Sequence, residues 1–115
     1  HITHDGERGS LSADFDGQAA FLNPAGHIQG GFLAAMLDDT LGAALAATLA
    51  AGQFAPTLQL NVQFLHPAQP GVLHGSARVV QRGQRVCFLS GELRQGQRIV
   101  ATATATAAMS TLPPP

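Results

Sequence analysis

Apolar and polar residues along this chain repeat with two different periods, and the change between them divides it. From Gly30 to about Ala51, the residues Leu33, Leu37, Leu41, Ala44, Leu45 and Thr48 recur at three- and four-residue spacing. That spacing predicts one long helix with a single inward stripe. Alanine fills many of the other positions, which favours helix and lets a neighbour approach closely. Gly52 is the expected stop, with Pro56 as a second barrier.

Beyond Pro56 the period falls to two. Leu58, Leu60, Val62 and Phe64 alternate with Gln59, Asn61 and Gln63, the pattern of a half-buried strand. The segment His66–Gly71, with Pro67 and Pro70, breaks it. Three more strands are predicted over Val72–Arg82, Gln84–Gln95 and Ile99–Met109, with turns at Gly83 and Gly96. In the last of them Ala101, Ala103, Ala105 and Ala107 alternate against Thr102, Thr104 and Thr106. Ahead of the helix, residues 1–10 form a polar lead-in. Leu11–Leu22 predicts one or two short strands broken at Asp16-Gly17. Pro113–Pro115 is a tail that cannot join a sheet. The order of strand, long helix and four hairpin-linked strands predicts an α+β domain, an antiparallel sheet with one helix on one face. No repeat or second domain is read: residues 1–115 form one unit with its core at about 10–109.

Composition adds an expectation about assembly. Charged residues make up 11% of the 115-residue chain and apolar ones 45%, without Trp or Tyr. An average domain carries roughly 25% charged residues. So few charges cover a monomer's surface poorly, and an obligate oligomer is expected. A net charge of -1 provides no general attraction to nucleic acid or to an anionic membrane. Phe32–Ala51 is long enough to span a bilayer, but Asp38 and Asp39 lie inside it, which favours a soluble helix. Cys87 is the sole cysteine, so neither an intrachain disulfide nor a cysteine zinc site is expected, and a reducing cytoplasm is the natural compartment. No signal peptide is read, and the chain opens on His1 rather than Met.

The densest chemistry lies at Asn23-Pro24-Ala25-Gly26-His27-Ile28-Gln29-Gly30-Gly31. A glycine-rich turn running into a helix presents backbone N–H groups that suit an anion or a developing oxyanion. Just beyond it Asp38 and Asp39 stand in a segment otherwise free of charge. A carboxylate in apolar surroundings is a candidate for catalysis. His27, His66 and His74 have no metal-ligand spacing, and neither Ser76 nor Ser90 sits in a nucleophile elbow. All six basic residues are Arg, and five of them (Arg78, Arg82, Arg85, Arg94 and Arg98) fall in the C-terminal half. The arginine fork suits phosphate, though outward strand positions carry arginine in any case.

The turn, the helix, the segment Pro56–Ala68 and the hairpin Arg82-Gly83-Gln84-Arg85 together resemble the hotdog-fold thioesterases. The nearest branch is the phenylacetic-acid-pathway (PaaI-like) acyl-CoA thioesterases, and the resemblance covers residues 10–109. That branch opens its helix with Asn, then Gly, then His-Gly-Gly, with an acid eight residues past the first glycine of the pair. Asn23, Gly26, Gly30, Gly31 and Asp38 stand at those positions, while Gln29 occupies that of the histidine.

The resemblance implies a hotdog fold, a long helix wrapped by an antiparallel sheet of five or six strands. It also implies hydrolysis of aryl or medium-chain acyl-CoA, with neither metal nor cofactor. The Gly30 N–H would polarise the thioester carbonyl, and Asp38, selected over Asp39 by the family spacing, would be nucleophile or general base. Asn23 would support the turn or the carbonyl region, and Thr57 would position water. Gly26 and Gly31 would border the substrate, and Arg82, Gly83 and Arg85 would meet the phosphates of CoA. Gln29 can donate a hydrogen bond but has no titrating proton. Thiolate leaves readily, so activity is still expected. Gly30 and Asp38 are eight residues apart on one helix, about 12 Å at 1.5 Å per residue, too far to act on one carbonyl. A two-fold dimer with antiparallel helices would bring them together across an interface, and family members share sites in this way. Homodimers, and tetramers built from them, are therefore expected. Two other readings stay open: a non-catalytic acyl-CoA-binding or regulatory module, and a hydratase or dehydratase of enoyl or hydroxyacyl thioesters. The latter usually needs a catalytic His, which Gln29 does not supply.

Overall fold

Among the residues that the computed structural model describes, 2–4 and 9–111, eight strands and one long helix follow in chain order. They are β1 (Ile2–His4), β2 (Ser10–Gly17), α1 (Gly30–Ala46), β3 (Gln53–Phe54), β4 (Thr57–Phe64), β5 (Gly71–Arg82), β6 (Val86–Gln95), β7 (Arg98–Ala108) and β8 (Ser110–Thr111). An isolated antiparallel bridge joins Leu22 and Ile28 outside these strands. Six strands form one antiparallel sheet in the order β1-β2-β5-β6-β7-β4, and β3 pairs with β8. The proline tail Pro113–Pro115 and residues 5–8 of the polar lead-in lie outside the described residues.

Helix α1 lies on one face of the sheet, mainly over β5 and β6. Its buried side is Leu33, Met36, Leu37, Thr40, Leu41, Ala44 and Leu45. Each large apolar side chain removed from water there contributes about 1.5–3 kcal/mol. The sheet answers with small and branched residues: Ala13, Leu73, Ala77, Leu89, Leu93 and, in β7, Ala101, Ala103, Ala105 and Ala107 are buried. The Ala/Thr alternation of β7 is thus real, with alanine under the helix. Closeness is greatest where Thr40 crosses β5. A Cβ on Gly75 would stand 2.7 Å from Thr40 Oγ1, which itself donates to the Met36 carbonyl at 2.7 Å.

The structure corrects four expectations. The helix ends at Ala46, not near Ala51. Thr48 Oγ1 is buried and donates to the Leu45 carbonyl at 2.7 Å, drawing the chain into a turn before Gly52. The lead-in contains β1, which pairs with β2; Leu11–Leu22 holds one strand, as one of its two expected forms had it, followed by a 3-10 turn at Ala19–Phe21. The strand β4 is not joined to β5 by a hairpin. It crosses to the far edge and pairs with β7, because Pro67 and Pro70 carry the chain away from the sheet. On that edge Leu60 and Val62 turn inward, but Leu58 and Phe64 are 63% and 56% exposed. No helix among the described residues is long and apolar enough to cross a membrane.

Candidate active site

The turn before α1 is built by Asn23. Its Oδ1 accepts the N–H groups of Ala25 (3.0 Å) and His27 (3.1 Å), and its own N–H donates to the His27 carbonyl at 2.7 Å. Gly26, at φ +85°, takes the left-handed conformation that closes this loop, and its N–H donates to the Asn23 carbonyl. Ile28 anchors the turn: its side chain is buried and its N–H donates to the Ala68 carbonyl at 2.9 Å. Phe21 and Phe32 stack at 4.2 Å across the entry, and the Phe21 carbonyl accepts the Gln29 N–H.

Gln29 caps the helix with its backbone, accepting the N–H groups of Phe32 and Leu33; its side chain makes no capping bond. Gly30 and Gly31 precede those two donors, so their N–H groups belong to the first turn, which has no intrahelical acceptor. Gly30 opens into a cleft of about 290 Å³ whose walls include Asn23, His27, Leu33, Phe64 and His66. A Cβ on Gly30 would lie 3.2 Å from the Phe64 ring, so glycine lets that ring close over the helix end. Gly31 faces open space.

Asp38 stands two turns further along, half-buried, and its Oδ1 accepts the Thr57 hydroxyl at 3.1 Å. Asp39 is exposed. Among the described residues no cation pairs with Asp38. Asp38 and Thr57 therefore form one cluster, Asn23, Gly26 and Gly30 another, and β4 runs between them from Thr57 to Phe64.

The arginine hairpin sits elsewhere. Arg82 donates to Gln53 Oε1 at 3.2 Å, Gly83 to the Val86 carbonyl at 3.0 Å, and the Arg85 carbonyl accepts the Met109 N–H. Met109 follows Ala108, whose N–H donates to the Pro56 carbonyl, so this hairpin is near the Thr57 end of β4 and away from Gly30. Sequence reasoning weighed His27 and His66 only as metal ligands; the fold brings both into the Gly30 cleft. The position of His27 inside the turn was the available signal, whereas nothing local marked His66. His74 is on the other face of the sheet, bonded to Asp14 at 2.5 Å.

A family model described as the thioesterase superfamily matches residues 25–102, from the turn into the first half of β7. The chain belongs to the thioesterase superfamily. Its fold is the hotdog fold of that family, a long helix against an antiparallel sheet. A Ralstonia eutropha protein described as a thioesterase related to phenylacetic acid degradation is 51% identical, with a TM-score of 0.89 over 92% of this chain and 80% of that one. A Bacillus halodurans protein solved with CoA is 25% identical, with a TM-score of 0.83 over 95% of this chain and 71% of that one. A curated Pseudomonas aeruginosa protein named as an esterase is 36% identical over 71% of this chain, which spans 62% of that relative's length.

Proposed function

We propose that this thioesterase-superfamily chain hydrolyses acyl-CoA thioesters carrying aryl or medium-chain acyl groups, in a site shared by two protomers. The observation that carries the reading is the placement of β4. The strand touches Asp38 through Thr57 at one end and Gly30 through Phe64 at the other. Its far edge is unpaired among the described residues, and the strand is eight residues long and free of proline and charge. Such an edge is a template for another strand. Antiparallel pairing of two β4 strands about a two-fold axis through their middle sets Thr57 of one beside Phe64 of the other. Asp38 of one protomer then approaches Gly30 of its partner, which removes the separation of about 12 Å within one helix.

In that site the thioester carbonyl oxygen accepts the Gly30 N–H. The helix dipole reinforces a donor of this kind, worth about 3 kcal/mol of barrier. Asp38 acts as nucleophile or as general base, with the Thr57 hydroxyl holding one carboxylate oxygen. In the general-base form a water oxygen bonds to the carbonyl carbon as its proton passes to Asp38. The C–S bond then breaks, and CoA departs as thiolate to be protonated by solvent. Asn23 and Gly26 hold the turn, Gly31 borders the acyl path, and Gln29 offers an amide donor without a titrating proton. The same pairing brings the partner's Arg82–Arg85 hairpin toward the Gly30 end, where it can meet CoA phosphate. The outward helix face, with Gly31, Ala35, Gly42 and Ala46 exposed around Asp39, suits packing of two dimers into a tetramer. Its place of work is the cytoplasm, where acyl-CoA is formed and used.

Release of free thiol from short, medium, long and aromatic acyl-CoAs, by wild type and by Asp38→Ala, tests the reading. Turnover that collapses in the variant supports it and identifies the acyl class. Turnover untouched by the substitution removes Asp38 from the chemistry. Absence of turnover with acyl-CoA still bound turns the reading into that of a binding module.

A further inference from the structure

Beside the Gly30 cleft, and sharing Leu65 and His66 with it, lies an open trough of about 700 Å³ completed by Gln95, Gln97, Arg98 and Ile99. We infer that this trough receives the nucleotide-phosphate end of CoA, with Arg98 as a further phosphate-binding group besides the partner's hairpin and His66 at the threshold between the two hollows. The inference rests on the acyl-CoA reading above and adds a subsite on the Gly30 protomer.

Three observations carry it. The first is capacity: the cleft of about 290 Å³ can take a thioester and part of an acyl group, but not the arm and nucleotide as well. The second is charge. The trough's polar lining is one guanidinium, one imidazole and two amides, with no carboxylate. Arg94, by contrast, is held on Glu92 at 3.0 Å and Arg82 on Gln53, while Arg98 has no ion-pair or hydrogen-bond partner among the described residues. A free planar fork in a lining without acids fits a phosphate. The third is rigidity. Gln95 clamps the loop after β4, accepting the Gln69 N–H at 2.8 Å and donating to the Gln69 carbonyl at 2.7 Å. Leu65 and His66 both donate their N–H groups to the Val100 carbonyl, at 2.9 and 3.2 Å. The wall between carbonyl site and trough is therefore tied to β6 and β7 and stands ready before ligand arrives.

The test pairs an acyl-CoA with the same acyl group on N-acetylcysteamine, a thiol that lacks the nucleotide. Arg98→Ala is expected to raise KM for the acyl-CoA about tenfold, the loss of one charge-assisted contact, and to shift kcat/KM for the truncated thioester less than twofold. Arg98→Lys, which keeps the charge without the fork, should recover part of the difference. Equal losses on both substrates would overturn the inference, as would an unchanged KM in Arg98→Ala beside a raised one in Arg85→Ala. Calorimetric affinity for CoA itself separates this subsite from the hydrolase reading. If no thioester is cleaved but CoA binding weakens about tenfold in Arg98→Ala, the hydrolase reading falls and the subsite stands. If CoA binds equally to both proteins, the subsite falls whatever the turnover.

Discussion

The Thr57 hydroxyl donates to Asp38 Oδ1 at 3.1 Å and so ties the middle of α1 to the first residue of the edge strand β4. The bond joins a half-buried carboxylate to a residue 19 positions later in the chain, and it fixes which way that carboxylate points. Asp39, one residue on, has no such partner among the described residues and is exposed. Two adjacent, chemically identical side chains are thus separated by the helix's rotation of about 100° per residue.

Loss of the carboxylate should remove most turnover. A positioned general base contributes about 10²–10⁴-fold, so Asp38→Asn is expected to lower kcat by that order while preserving the fold. Asp39→Asn should stay near wild type. Thr57→Val removes one hydrogen bond to the carboxylate and should lower kcat about tenfold, with Thr57→Ser recovering most of it. Steady-state thiol release on one acyl-CoA checks all four variants, and equal losses at Asp38 and Asp39 would contradict the assignment.

Gly30 makes a separate claim. A methyl group there would meet the Phe64 ring at 3.2 Å, which forces either the ring or the helix end to give way. Gly30→Ala should therefore lower kcat/KM by about tenfold through displacement of the N–H donor. Phe64→Leu in the same chain frees space and should return part of the loss. The outcome that counts against the geometry is an additive double variant, since residues in contact ought to couple.

Much of this arrangement was legible in the residues themselves. The helix and the strands β5, β6 and β7 follow from periodicity, because leucine every third or fourth position and the Ala/Thr alternation each fit one backbone only. The place of β4 did not follow. Alternation shows which side chains share a face but not which strand lies alongside, and β4 pairs with β7 only after a crossover through Pro67 and Pro70. Its exposed Leu58 and Phe64 read as core because apolar residues on an open edge look the same in sequence as buried ones. The early end of α1 was hidden in Thr48, whose hydroxyl bonds back to Leu45, a local competition that a hydrophobic count does not register. At the candidate site, Asn23, Gly30 and Asp38 were singled out through the family resemblance, whereas His66 reaches the cleft only through the path of the loop after β4.

The contact between α1 and β5 sets a stability prediction. A Cβ at Gly75 would lie 2.7 Å from Thr40 Oγ1 and 3.2 Å from the Phe15 ring. Thr40 is buried and β-branched, with its hydroxyl already committed to the Met36 carbonyl, so it has little freedom to move aside. Gly75→Ala should destabilise the protein by about 1–3 kcal/mol, the usual range for overpacking. Adding Thr40→Ala should relieve part of that cost. Denaturant midpoints at constant m-value measure both, and a Gly75→Ala protein as stable as wild type would show that the helix can lift from the sheet.

The proposed sharing of the site between two protomers is tested most directly by complementation. Asp38→Asn and Gly30→Val should each be inactive as homodimers, for different reasons. In a mixed dimer, the Asp38→Asn chain still offers its Gly30 N–H and the Gly30→Val chain still offers its carboxylate. One site of the two is then intact. Random pairing makes half the dimers mixed, so co-expression should restore about a quarter of wild-type turnover. A site contained within one protomer predicts none, because every chain then carries a broken site. The result separates the two geometries without any structure of the dimer, and sizing of each variant alone excludes loss of assembly as the cause of its silence.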